Sequence, residues 1–101
     1  MVVLAARCSG RPERRADILR LAATVSKPSK EEPGCISYAF HEQLTDGNEY
    51  LFFEEWADQA ALDSHFQTPH FQAFIGEFAG CLAAPPNIRV YDVAQSRELT
   101  L

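Results

Sequence analysis

The sequence is poor in positive charge: nine Lys and Arg stand against fourteen Asp and Glu in 101 residues, for a net charge of −5. A nucleic-acid surface needs clustered basic residues. The one concentration present, RPERRADILR from Arg11 to Arg20, reads as the solvated opening of a helix. Cysteine is scarce and odd in number. Cys8, Cys35 and Cys81 are widely spaced with no C-x-x-C pair, which argues against a disulfide framework and a cysteine metal site and fits reduced thiols in a cytoplasm. No apolar run approaches the roughly 20 residues needed to span a bilayer. The apolar start, MVVLAA, has no basic lead-in and reads as a strand, not a signal peptide. There is also no Gly-rich phosphate loop, no nicotinamide or flavin fingerprint, no His/Cys/Asp metal spacing and no G-x-S-x-G elbow. The expectation is a protein without metal, cofactor, nucleic acid or membrane as partner.

What is present is apolar: 47% of residues are hydrophobic. The length fits one domain, 1–101, with a core over 2–93 and a polar tail over 94–101. A chain this short buries a modest fraction of its surface, so oligomerisation is a natural further stabiliser. Val2 to Cys8 reads as a first strand. Ile18, Leu21, Ala22 and Val25 recur at helical spacing, placing a helix at about 12–26, with Pro28 as its breaker. Cys35 to Leu44 alternates, with Ile36, Tyr38 and Phe40 on one face. Asp46-Gly47-Asn48 tolerates positive φ and predicts a hairpin. Glu49 to Trp56 returns, with aromatics on both faces. Asp58 can cap a helix through Ala61, Leu62, His65 and Phe66. Thr68-Pro69 breaks it and starts another, whose inward stripe is Phe71, Phe74, Ile75, Phe78 and Leu82. Asn87 to Val93 is the last strand. The order βαββαβ is the α+β, ferredoxin-like arrangement: a four-stranded antiparallel sheet with helices on one face. The other face needs a cover, and a homodimer packed through its sheets supplies one.

Proton-handling side chains are few. The chain has three histidines and one tryptophan. His65 shares the buried stripe of its helix and fits two readings: a core histidine bonded to backbone, or a general base at a pocket. His70 sits in the first turn of a helix, where the dipole disfavours a cation. Trp56 is a packing anchor or a pocket wall that donates through its indole. Tyr38 stands on a neighbouring strand. Glu54 shares the face of Trp56, and a carboxylate among aromatics needs a partner or a raised pKa. Phe71, Phe74 and Phe78 read as core that could also hold a flat ring. Arg7 and Arg89 are the sheet's candidates for binding an anionic substrate.

The segments EEPGCISYAF, FFEEWADQAALDSHFQTPHFQAF and IRVYDV resemble the antibiotic biosynthesis monooxygenase family of the dimeric α+β barrel superfamily. Within it they look most like the small quinol monooxygenases. The resemblance covers about residues 2–93, and the block of Trp56, Leu62, His65 and Thr68-Pro69-His70-Phe71 is its most specific part. It implies a homodimer whose sheets close a barrel, with a pocket in each subunit between sheet and helices. It also implies oxidation of hydroquinones or anthrones to quinones by O2 as co-substrate, without metal or flavin. On that reading His65 is the base or proton relay and Trp56 and Tyr38 orient the substrate. His70, Phe71, Phe74, Phe78 and Glu54 would bind the small aromatic substrate. Haem-degrading relatives carry a tryptophan where His65 stands, and their haem-binding histidine falls near Ile75; both departures count against haem. A relative with a similar TPH block is an isomerase on a phosphorylated sugar, so a non-redox isomerase and a non-catalytic ligand-binding protein are the alternatives.

Overall fold

The computed structural model describes residues 1–101. Four strands, β1 (Val2–Ser9), β2 (Cys35–Glu42), β3 (Glu49–Trp56) and β4 (Asn87–Asp92), alternate with three helices, α1 (Arg15–Lys30), α2 (Gln59–Phe66) and α3 (Pro69–Gly80). The sheet is antiparallel in the order β2-β3-β1-β4. This is the ferredoxin-like arrangement, with the second helix broken in two. No helix is long and apolar enough to cross a membrane.

The pleat decides what each strand offers the helices. Val2, Leu4, Ala6 and Cys8 of β1 are all buried and share the core with Tyr50, Phe52 and Trp56 of β3. Above them sit Ile18, Leu21, Ala22 and Val25 of α1, Leu62 of α2, and Phe74 and Phe78 of α3. The opposite face carries Val3, Ala5, Leu51 and Phe53, with Arg7, Glu55, Arg89 and Tyr91 among them by register. No helix covers that face, and Phe53 is 37% exposed.

Three features depart from the pattern read in the sequence. First, Pro28 does not end the helix. A single 3₁₀ turn over Pro12–Arg14 leads into α1, which then runs to Lys30 with Pro28 inside its last turns. Proline removes one N–H and crowds the carbonyl four residues back. Here Val25 and Ser29 lie buried either side of it, and the Ser29 hydroxyl donates to the Val25 carbonyl at 2.6 Å, so packing overrides the local penalty. Second, the ladder between β2 and β3 slips between Cys35 and Ser37. The bulge turns Ile36 outward, 56% exposed, so it does not share a face with Tyr38 and Phe40. An inserted residue breaks the two-residue period that the alternation relied on. Third, the 43–48 loop uses no positive φ: Gly34 alone is left-handed, at φ 83°. The loop closes through Gln43 N–H donating to Glu49 O at 2.8 Å and Glu49 N–H to Asp46 O at 3.1 Å.

The caps form as expected. Asp58 accepts from Ala61 N–H at 2.8 Å, and Thr68 Oγ1 accepts from Phe71 N–H at 3.3 Å. Thr68 Oγ1 also donates to the His65 carbonyl at 2.7 Å. The break between α2 and α3 is thereby fixed from both sides, and the histidines flanking it are fixed with it.

Candidate active site

Two polar clusters meet in the layer between sheet and helices. The first joins three segments. Extension of α1 past Pro28 delivers Glu32, whose Oε2 lies 2.7 Å from His65 Nδ1 on α2 and 2.7 Å from His70 Nε2 on α3. The His65 side chain is 1% exposed, Glu32 9% and His70 24%, so the cluster is sealed on the His65 side and reachable from that of His70. With Nδ1 donating to the carboxylate, His65 is held neutral with Nε2 unprotonated. Burial lowers its pKa, and the bond to Glu32 works in the other direction. Around His65 stand Trp56, Phe71 and Tyr38, at ring-centroid distances of 4.8, 5.1 and 5.7 Å.

The second cluster lies on one strand. Glu54 and Trp56 of β3 are two residues apart, so they share a face, and the Trp56 indole N–H donates to Glu54 Oε1 at 3.0 Å. Glu54 is 4% exposed. Desolvation pushes its carboxyl up to about 7; the indole bond pulls it down, and the Glu32 charge pushes it up further. Tyr38, opposite Glu54 in the β2–β3 ladder, is held protonated chiefly by burial and secondly by the Glu54 charge.

Glu54 and Tyr38 are the polar side chains of an otherwise apolar cavity of about 80 Å³. Leu4, Ala6 and Cys8 of β1 and Phe52 of β3 form its floor. Phe66, Phe71, Phe74, Ile75 and Phe78 close it from the helix side, with Pro86 and Ile88 at its edge. Phe74 stacks on Phe78 at 4.6 Å and meets Phe52 edge-on at 5.8 Å.

Of the residues singled out in the sequence, Tyr38, Glu54, Phe71, Phe74 and Phe78 line this cavity. Trp56 touches it only through Glu54. His65 and His70 lie outside the lining, joined to Glu32 instead. His41 is exposed at the outer end of β2, and Arg7 and Arg89 belong to the opposite sheet face, so neither arginine serves the cavity. Glu32 is the participant that sequence reading missed. It stands 33 residues from His65, beyond any local spacing, and the proline before it signalled the end of the helix that in fact carries it there. Cys8, Leu4 and Ala6 were legible only as members of an apolar strand.

Comparison with known proteins places the chain as a whole. The antibiotic biosynthesis monooxygenase family matches residues 1–77. The chain belongs to that family. Its relatives include "Putative monooxygenase YcnE" of Bacillus subtilis, 33% identical over 87% of this chain and 93% of that protein. "Putative monooxygenase Rv0793" of Mycobacterium tuberculosis is 32% identical over 88% of this chain and 87% of that one. An uncharacterised Synechocystis protein, sll1783, is 42% identical over 97% of this chain and 67% of its own length. The solved structure of Rv0793 superposes with a TM-score of 0.90 at 28% identity, covering 96% of this chain and 98% of that one. A further crystal structure of an antibiotic biosynthesis monooxygenase gives 0.88 at 26% identity, covering 94% and 100%. Within the antibiotic biosynthesis monooxygenase family, a monooxygenase-like function is the coarse assignment these relatives support.

Proposed function

We propose that this chain is a cofactor-independent monooxygenase that oxidises a small dihydroxy aromatic, of hydroquinone or anthrone type, to a quinone with O2. The observation that carries the reading is Glu54: a buried carboxyl with a pKa near neutrality, at the wall of a cavity otherwise lined by phenylalanines, aliphatic side chains and one phenol. A base is most effective when its pKa lies near working pH and it reaches the proton it removes. Glu54 takes a phenolic (or enolic) proton, and the resulting anion is electron-rich enough to pass one electron to O2. Recombination of the radical pair forms a C–O bond. Loss of water then breaks the O–O bond, so one oxygen atom stays on the ring as a carbonyl and the other leaves as water. The substrate supplies the electrons.

The Tyr38 hydroxyl, kept protonated by burial, donates to the substrate oxygen opposite Glu54. Phe71, Phe74 and Phe78 hold the ring. Trp56 fixes the Glu54 carboxyl through its indole, and His65 packs behind Trp56 and Tyr38 as a positioning residue. The cavity is below the roughly 300 Å³ of an ordinary ligand site, so the substrate is small and the phenylalanines yield to admit it. In this reading two subunits pair through their uncovered sheet faces, which buries Phe53 and leaves the cavities on the outer sides.

The test is O2 uptake by metal-free protein over a panel of hydroquinones and anthrones, with Glu54→Gln and His65→Ala beside the wild type. Uptake lost in Glu54→Gln supports the reading. Uptake intact in Glu54→Gln but lost in a folded His65→Ala would move the base to His65. No uptake across the panel would refute the oxygenase and favour a ligand-binding or isomerase role.

A further inference from the structure

The cavity chemistry leaves the first cluster unused. Glu32, His65 and His70 supply one carboxylate oxygen and two imidazole nitrogens, all within 4.8 Å of one another. We infer that these three residues form a binding site for a divalent first-row transition cation of the zinc class. This goes beyond the oxidation proposed above, which uses Glu54 and needs no ion.

The donor set is one carboxylate and two imidazoles, which suits zinc and its first-row neighbours rather than calcium or magnesium, whose ligands are oxygens. The three donors already converge, although the two imidazole nitrogens stand up to 4.8 Å apart. An ion about 2.0–2.1 Å from each donor, in tetrahedral arrangement, sets donors about 3.3 Å apart. The carboxylate oxygen now lies 2.7 Å from each histidine nitrogen. Coordination therefore asks each histidine to part from Glu32 by about 0.6 Å and the two imidazole nitrogens to draw together by up to about 1.5 Å, which side-chain rotation of the part-exposed His70 supplies. The ion replaces the two hydrogen bonds that converge on one carboxylate oxygen.

The scaffold is built to keep these donors in place. Glu32 follows the last turn of α1, which the buried Ser29 anchors. His65 and His70 flank the Thr68-Pro69 break, whose threonine bonds both to the His65 carbonyl and to the first turn of α3. His65 is buried and His70 is a quarter exposed, so an ion has an entrance on one side and a closed wall on the other. Three protein ligands leave at least one coordination position for water, as in open zinc sites. The chain's net charge of −5 favours a cation.

The test is equilibrium dialysis of the 101-residue, metal-free chain against Zn(II), repeated with Co(II), whose visible absorption reports coordination number and nitrogen ligands. The expected result is one ion per chain in the wild type, a Tm that rises with Zn(II), and a loss of affinity of tenfold or more in Glu32→Gln and in His70→Ala. Circular dichroism checks that both variants fold. Cys35→Ser serves as a control, because a thiol is the other soft donor in the region; its binding is expected to match the wild type. Substoichiometric binding in the wild type, or binding that Cys35→Ser abolishes and Glu32→Gln leaves intact, would overturn the site and leave Glu32 as a hydrogen-bonded clasp alone. Because O2 uptake is measured on metal-free protein, either result can fail without the other.

Discussion

Replacing Glu54 by Gln should make the protein more stable and less active at the same time. The stability half follows from linkage. In the fold the Glu54 carboxyl titrates near 7, against an ordinary value of 4.5. A carboxyl whose pKa is raised by folding binds its proton more tightly in the native state. Its contribution is therefore fully present below pH 4.5 and is lost as pH rises through 7. With about 1.4 kcal/mol per unit, the full penalty at high pH is about 3 kcal/mol, most of it accruing between pH 5 and pH 8. Gln keeps the side-chain shape and still accepts the Trp56 indole N–H through its amide oxygen, but it has no charge to desolvate. The variant should lose most of the decline in stability between pH 5 and pH 8. At pH 8 it should exceed the wild type by about 2–3 kcal/mol, or roughly 10 °C or more in Tm for a domain of this size. The activity half is opposite in sign. An amide cannot take the phenolic proton, so kcat/KM should fall by roughly 10²–10⁴-fold. In the wild type, kcat/KM should climb with pH on an acid limb centred near 7, and Gln should abolish that limb. The assays are urea unfolding at a series of pH values and O2 uptake over the same range. A variant whose stability keeps the wild-type slope with pH would show that Glu54 is not the group charged at a cost. Unchanged turnover would remove it as the base.

Other changes test the scaffold. Gly34→Ala forces a side chain into a left-handed backbone, where its Cβ would come within 2.6 Å of Ala61 Cβ; a loss of about 1–3 kcal/mol by denaturant midpoint is expected, and a neutral result would mean the β2 entrance relaxes freely. Phe74→Ala removes a ring wedged between Phe52 and Phe78, so stability should drop by about 3–5 kcal/mol while larger substrates gain relative to smaller ones in the uptake panel. Asp58→Ala strips the cap of α2 and should cost about 1 kcal/mol, measurable as a shift in urea midpoint with an unchanged slope.

The elements whose signals are local were legible in the sequence. Asp58 and Thr68-Pro69 announce their helices by chemistry that works within four residues, and both caps stand where the residues placed them. The stripe of Ile18, Leu21, Ala22 and Val25 marked the core face of α1 for the same reason, while the apolar run Val2–Cys8 marked a strand but not which of its faces is buried. What failed depends on packing across the chain. Pro28 is a breaker in isolation, and only the burial of Val25 and Ser29 keeps α1 going. Ile36 alternates correctly with Tyr38 in the sequence, and only the pairing with β3 introduces the extra residue. The candidate site divides along the same line. Glu54, Tyr38 and the phenylalanines were visible because strand and helix periods put them on one side. Glu32 was invisible because nothing in EEPG tells a reader which of two adjacent glutamates turns inward, or that two distant histidines await it.

β1 is the second strand from one edge of the sheet and hydrogen-bonds to β3 and β4. It precedes the other strands of this sheet in the chain, yet its second neighbour, β4, is the last of the four to be made. Until β4 is made, VVLAARCS presents one bare edge, and a nascent chain stalled before Asn87 would present it indefinitely. Such an edge is a template for strands of other chains. A truncation that removes β4 should therefore show itself less as reduced activity than as inclusion bodies.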